Sequence, residues 1–199
     1  MDKAKLRLGV ALGGSKFEGV VLDADGQTCC RERVTTPQGD YGATLEVLVG
    51  LVLRLEADAG QACSVGIGMP GSISRATRLV KNSNSVCLNG QPLHRDLEAR
   101  LQRPLRFAND ADCFALSEAV DGAGKDAAVV FGVIVGTGTG GGIVVKRQLV
   151  NGPNGISGEW GHNPLPWPGA DELPGPACYC GRSGCIETWL SGPGLASDH

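Results

Sequence analysis

The sequence predicts an α/β chain built from a duplicated unit, with a first domain over residues 1–124 and the start of a second over 125–199. Three observations lead there. The glycine-centred apolar hairpin LGVALGGSKFEGVVL at 8–22 recurs as VIVGTGTGGGIVVKR at 133–147. Between the two copies the hydrophobic period switches repeatedly between two and about 3.6, the alternation of strands and helices in an α/β domain. After the second copy the periodicity stops, and a Pro-, Gly- and Cys-rich tract takes over.

The runs at 6–12 and 17–23 are strand length, and the turn residues Gly13, Gly14, Ser15 and Lys16 between them predict a hairpin. Asp25 and Gly26 then turn the chain into a third strand, CCRERVTT. After Pro37, residues Leu45, Leu48, Val49, Val52 and Leu55 share one helical face, which Ala59 and Gly60 end. SVGIGM is a buried strand stopped by Pro70 and Gly71. Leu93, Leu97 and Leu101 repeat every four residues and predict a helix over 93–102. PLRFAND reads as a strand that delivers Asn109 and Asp110 to its carboxyl end, and DADCFALSEAVDG as the helix after it. AAVVFGVIVG and GIVVKRQLV form the second hairpin about Gly136, Thr137 and Gly138, with the domain boundary expected at Gly122 to Asp126. The second copy is expected to stop before a further strand and helix are completed.

The totals bound the function. At 199 residues the chain can bury a sizeable core, so size does not exclude an enzyme. Its 18 basic and 21 acidic residues are intermixed, with a net charge of −3, and no basic stripe exists to follow a nucleic-acid backbone. MDKAKLRLGVALGG lacks the apolar run of a secretion signal, and no apolar stretch reaches membrane-spanning length. The expected compartment is the cytoplasm, where the eight cysteines are thiols or metal ligands.

Cys178, Cys180 and Cys185 lie at CxC and then four intervening residues, with Gly181 and Gly184 free to fold the backbone around one point. A closed zinc site takes four ligands, and His162 lies across the preceding Pro- and Gly-rich loop. The four predict a structural Zn2+ that orders a loop poor in core residues. Cys29, Cys30, Cys63, Cys87 and Cys113 have no such spacing and are expected as small buried hydrophobes.

Asp110, at a strand-to-helix junction, projects where open α/β sheets bind ligands, and is the candidate general base. The same position also suits a cap on the following helix. Glu159 and Glu187 are carboxylates set among glycines, suited to sugar hydroxyls if the metal loop brings them into place. Both glycine turns offer backbone N–H groups to phosphate oxygens, with Lys16, Ser15 and Thr137 adding charge and hydroxyls, although neither turn is a P-loop.

The segments LGVALGGSK, VGIGMPGSIS, KNSNSVCLNG, FANDADCFALSEA, VIVGTGTGGGI, GEWGHNPLPW and CYCGRSGCIET together resemble the ROK family of sugar kinases and related repressors. The resemblance implies the actin-like, ribonuclease H-like two-domain fold, here with an incomplete second domain and a zinc-bound loop. It implies ATP-dependent phosphorylation of a hexose at its primary hydroxyl, with Mg2+ on the nucleotide. Asp110 becomes the base, and Asn84, Asn109, Asp110, Glu159, His162 and Glu187 become sugar contacts. The turns Gly13–Lys16 and Gly136–Gly138 become phosphate sites, and a homodimer is implied. NSNSVCLNGQPL and GEWGHNPLPW look most like bacterial fructokinases that also accept mannose, so fructose is the expected substrate and fructose 6-phosphate the product. Two departures stand out. The family's opening DxGGTK reads ALGGSK here, with Ala11 where the acid belongs. Family members are also longer, so a C-terminally shortened form is expected. The alternatives are a non-catalytic sugar-binding protein or an inactive fragment. Repression ranks last, because the first hairpin begins within the first ten residues.

Overall fold

Strand β1 (Arg7–Leu12) buries Leu8, Val10 and Leu12 and turns Arg7, Gly9 and Ala11 the other way, so only one face of its sheet is committed to a core. The computed structural model describes residues 6–198, so Met1–Lys5 of the expected non-leader start lie outside the described residues. β1 pairs antiparallel with β2 (Lys16–Leu22), and β2 with β3 (Thr28–Thr35), as the first hairpin and third strand predict. Helix α1 (Tyr41–Asp58) begins four residues before the expected leucine face. Asp40 caps it, its Oδ1 accepting the Ala43 N–H at 2.9 Å. α1 lies so near β2 that a Cβ on Gly19 would overlap the Leu55 side chain.

β4 (Ser64–Met69) follows, then a short ribbon of β5 (Ser72–Ile73) and β6 (Val80–Lys81), and a 3₁₀ turn at Val86–Leu88. α2 (Leu93–Leu101) and β7 (Arg106–Asn109) end this part of the chain. The sheet order is β3-β2-β1-β4-β7, with β1, β4 and β7 parallel. One continuous apolar core joins its inner face to α1 and α2 through Leu48, Leu51, Leu55, Leu93 and Leu97.

The chain separates into two compact units, Met1–Asp110 and Ala111–His199. In the second, α3 (Asp110–Val120) packs on β8 (Val129–Val135) and β9 (Thr139–Val145). The seam is narrow: a Cβ on either Gly132 or Gly142 would stand 2.8 Å from that of Ala115. The expected single run GIVVKRQLV is broken. Lys146 and Arg147 adopt positive φ of 49° and 62° and turn the chain into β10 (Gln148–Leu149), which pairs back on β9. Two short helices, α4 (Glu187–Leu190) and α5 (Gly192–Asp198), follow the metal-loop tract where no completed element is expected from the sequence.

The cysteine reading needs correction outside the cluster. Cys63 is buried as expected, but Cys29 and Cys113 are exposed and Cys30 and Cys87 only half-buried. Cys29 falls on a strand whose residues are mostly solvent-facing. Among the described residues no helix is long and apolar enough to cross a membrane.

Candidate functional site

In the first unit the parallel strands end together. Met69 pairs in register with Asn109, and Ala11 with Gly68, so the turn after β1 and the β7–α3 junction lie along one sheet edge. The Gly13–Lys16 turn is closed by the Gly13 N–H donating to the Lys16 carbonyl at 3.0 Å. A Cβ on Gly13 would stand 2.7 Å from that oxygen, which excludes other residues. Thr36 fixes the turn from outside, its hydroxyl donating to the Gly13 carbonyl at 2.8 Å and its N–H to that of Ser15 at 3.1 Å. Gly13, Gly14, Ser15 and Lys16 are all exposed.

Asn109 is half-buried and donates from Nδ2 to the Gly71 carbonyl at 3.1 Å, while Asp110 is exposed at the first residue of α3. Gly71 has φ +74° and rests against the backbone of Lys81–Ser83, where a Cβ would collide. That contact draws the loop carrying Asn84 to the same corner. Asn89 clasps the loop: its Oδ1 accepts the Ser83 N–H at 2.9 Å and its Nδ2 donates to the Ser83 carbonyl at 2.8 Å, leaving Asn84 exposed at the tip. Asn89 and Gly71 are organising residues that sequence reasoning missed, although NG and PG turn signals mark both positions.

Ala11 is exposed, and its cross-strand partner is Glu18. Glu18 is already engaged, bridged by Arg31 Nε at 2.6 Å and Arg33 Nε at 2.8 Å. The Arg33 hydrogen bond, aided by the charges of Arg31, Arg33 and Lys16, holds its carboxyl below the ordinary value against the opposing effect of burial. The first turn therefore has no carboxylate at the position where the family motif has one.

In the second unit the Gly136–Gly138 turn is closed by the Gly136 N–H donating to the Gly138 carbonyl at 2.8 Å. Glu187, buried at 8% exposure, accepts the Thr139 N–H at 2.7 Å, and its Oε2 would stand 2.8 Å from a Cβ on Gly138. Glu159 Oε2 lies 3.6 Å from the Cβ position of Gly140. Glu187 is thus set against the second turn, and Glu159 against the strand that leaves it. Thr137 is exposed at its tip, whereas Thr139, which sequence reasoning did not select, is buried with a hydroxyl that has no partner among the described residues.

His162, Cys178, Cys180 and Cys185 bring one donor atom each to within 4.8 Å of every other. Cys178 Sγ is 3.5 Å from His162 Nδ1, and Cys180 Sγ is 3.7 Å from Cys185 Sγ. Bond lengths of about 2.3 Å to sulfur and 2.0 Å to nitrogen place tetrahedral ligand atoms about 3.5–3.8 Å apart, so the donor set fits zinc. Nδ1 is the inward nitrogen; Nε2 lies 3.0 Å from the Tyr179 hydroxyl, which fixes the ring orientation as an outer partner does in metal sites. Burial pushes the Cys178 thiol up, and raises Cys185 to about 12 with help from hydrogen bonds to Cys180 and Cys178. At Cys180 burial is outweighed by hydrogen bonds from the Arg182 N–H and the neighbouring thiols, so its pKa falls.

The profile of the ROK family matches residues 7–199. The chain belongs to the ROK family. This ROK chain is 43% identical over 191 residues to the N-acetyl-D-glucosamine kinase of Pectobacterium atrosepticum, covering 94% of this chain and 63% of that protein. It is 42% identical to the enzyme of the same name from Yersinia pestis, covering 94% and 75%. It thus spans less than two thirds of the length of the first of these relatives. Among solved structures it is similar to a ROK hexokinase from Thermus thermophilus, with TM-score 0.78, 32% identity, and 97% of this chain and 62% of that one covered. A ROK glucokinase from Streptomyces griseus, solved with glucose and AMPPNP, matches at TM-score 0.79 and 29% identity, covering 96% and 59%. The ROK chain accordingly has the actin-like α/β fold that its motifs imply, in a form shorter than these structures. The quoted curated relatives are named for N-acetylglucosamine, not for the expected fructose.

Proposed function

We propose that this ROK chain is the sugar- and phosphate-handling part of an ATP-dependent hexose kinase acting at the primary hydroxyl of N-acetylglucosamine. The observation that carries the reaction class is the convergence of the Gly13–Lys16 turn, Asn109 and Asp110 on one edge of the parallel strands. N-acetylglucosamine takes the place of fructose because a relative of that name is 43% identical across 94% of the chain. Asp110 would take the proton of the sugar hydroxyl as its oxygen attacks the γ-phosphorus, and ADP would leave with the electrons of the broken bond. The amides of both glycine turns, with Lys16, Ser15 and Thr137, would orient the phosphates. Asn84, Asn109, Glu159 and Glu187 would hold sugar hydroxyls, and His162 would join them where a sugar hydroxyl replaces Tyr179 on its Nε2. Zinc on His162, Cys178, Cys180 and Cys185 would supply order to the loop rather than chemistry, since four protein ligands close its coordination.

Mg2+ would accompany ATP, but the Ala11 side chain offers it no ligand. Ala11 also favours a second reading, a sugar-binding protein with feeble transfer. Both readings place the protein in the cytoplasm, as a homodimer whose state a sedimentation run would read. ADP release measured with N-acetylglucosamine, glucose, mannose and fructose tests them together. Fastest turnover with N-acetylglucosamine supports the kinase, whereas calorimetric sugar binding with no ADP formed supports the second reading.

A further inference from the structure

We propose that the metal loop holds the second glycine turn in shape, with Glu187 as the strut between them; the consequence for nucleotide affinity rests on the function proposed above. The turn hangs from the loop at several points. Glu187 Oε2 accepts the Thr139 N–H at 2.7 Å, the Gly192 N–H donates to the Gly136 carbonyl at 2.7 Å, and the Trp160 indole N–H donates to the Gly140 carbonyl at 2.8 Å. Gly161 backs onto the Thr139 carbonyl so closely that no Cβ fits.

Every anchor but Gly192 adjoins a cluster ligand in sequence. Trp160 and Gly161 precede His162, and Glu187 follows Cys185 by two residues. The two flanks are joined to each other as well: the Ile186 N–H donates to the Asn163 carbonyl at 2.9 Å, and the Glu187 N–H to the Gly161 carbonyl at 2.8 Å. Opening the cluster therefore releases both flanks together. Little else would keep them in place, since Cys185 and Ile186 are the buried apolar residues described beyond Val144. A buried carboxylate accepting a backbone N–H is among the stronger hydrogen bonds, but it fixes the turn only if its own backbone is fixed. Metal binding fixes it. Glu187 is on this account a positioning residue for the turn, whatever sugar contact it also makes.

The test is amide hydrogen exchange across residues 136–140 on the full chain, zinc-loaded and chelator-stripped, and on the zinc-loaded variants Glu187→Ala and Glu187→Gln, with zinc content and ADP affinity measured on each. Stripping is expected to speed exchange of the Thr139 amide about tenfold or more, the scale of losing one charge-assisted hydrogen bond. Glu187→Ala, still holding one zinc, should exchange like the stripped protein. Glu187→Gln, whose amide oxygen still accepts, should stay within about threefold of the wild type. ADP affinity should fall in the same order. Unchanged exchange on stripping, or a Glu187→Ala protein that exchanges like the loaded wild type, overturns the strut. Loss of zinc from Glu187→Ala overturns it too, because strut and site would then not be separable. Failure of ADP to bind any form overturns the nucleotide role, and the exchange data still decide the coupling.

Discussion

Glu187 accepts the backbone N–H of Thr139 across 48 positions of sequence, tying the residue two places beyond the last cluster thiol to the first residue of β9. The bond joins two buried residues beneath a turn whose tip, Gly136 and Thr137, is exposed, and it makes the metal loop part of the turn's architecture.

Zinc content is the first expected outcome. The chain should carry one zinc, and His162→Ala, Cys178→Ser and Cys185→Ser should each lose it and lower the stability of the second unit. Cys185→Ser should be the most damaging of the three, because the residue is 1% exposed and its sulfur also meets the His162 carbonyl at 3.7 Å. Metal analysis with thermal unfolding checks this.

Asp110→Asn should lower kcat by about 10²- to 10⁴-fold with little change in sugar affinity, since it removes a proton acceptor while keeping the shape. Full activity in that variant would remove Asp110 from the base role.

Ala11→Asp restores the family acid beside Glu18, whose carboxylate is held by Arg31 and Arg33. The added like charge should cost about 1 kcal/mol or less. Phosphoryl transfer should rise severalfold or more in the variant, measured as ADP release; no gain would show that the site is limited elsewhere.

Gly71→Ala should destabilise the first unit by about 1–3 kcal/mol, since it combines positive φ with a collision against Lys81–Ser83. Sugar affinity should fall as well, because the same backbone contact seats the Asn84 loop. Denaturant unfolding and calorimetry read the two effects separately.

Glu18 supplies a pH dependence whose sign is fixed. Its folded pKa is depressed by Arg33 and Arg31, so its contribution to stability is complete above the ordinary carboxylate value of about 4.3 and is lost as pH falls through the lower folded value. Glu18→Gln should therefore be less stable than wild type at neutral pH, with the gap closing in acid. Both carboxylate and arginines are partly exposed, so the gap should shrink with salt.

Most of the first unit is legible from sequence because its signals are local. Leu8, Val10 and Leu12 alternate, and of the helical face Leu45, Leu48, Val49, Val52 and Leu55 all but the partly buried Val49 are in the core, joined there by Leu51. The cluster of His162 with the three cysteines is also legible, since ligand type and spacing carry the chemistry directly. What sequence conceals is long-range. Nothing near Asp40 announces a cap except its residue type, nothing in RQL separates β10 from β9, and no periodicity links Glu187 to Thr139. Asn89 and Tyr179 act only through partners that the fold supplies.

The seam between α3 and its sheet has a further consequence. The first unit rests on a core in which leucines from two helices meet three parallel strands, whereas the buried apolar cluster of the second is Ala115, Ala119 and Val144. Glycines facing alanines leave little hydrocarbon to transfer from water. The two units should then melt as separate events, the lower one moving with zinc concentration and the upper one indifferent to it. A single melting temperature should consequently not describe this chain, and a scan that reports one should follow only whichever half its probe reads.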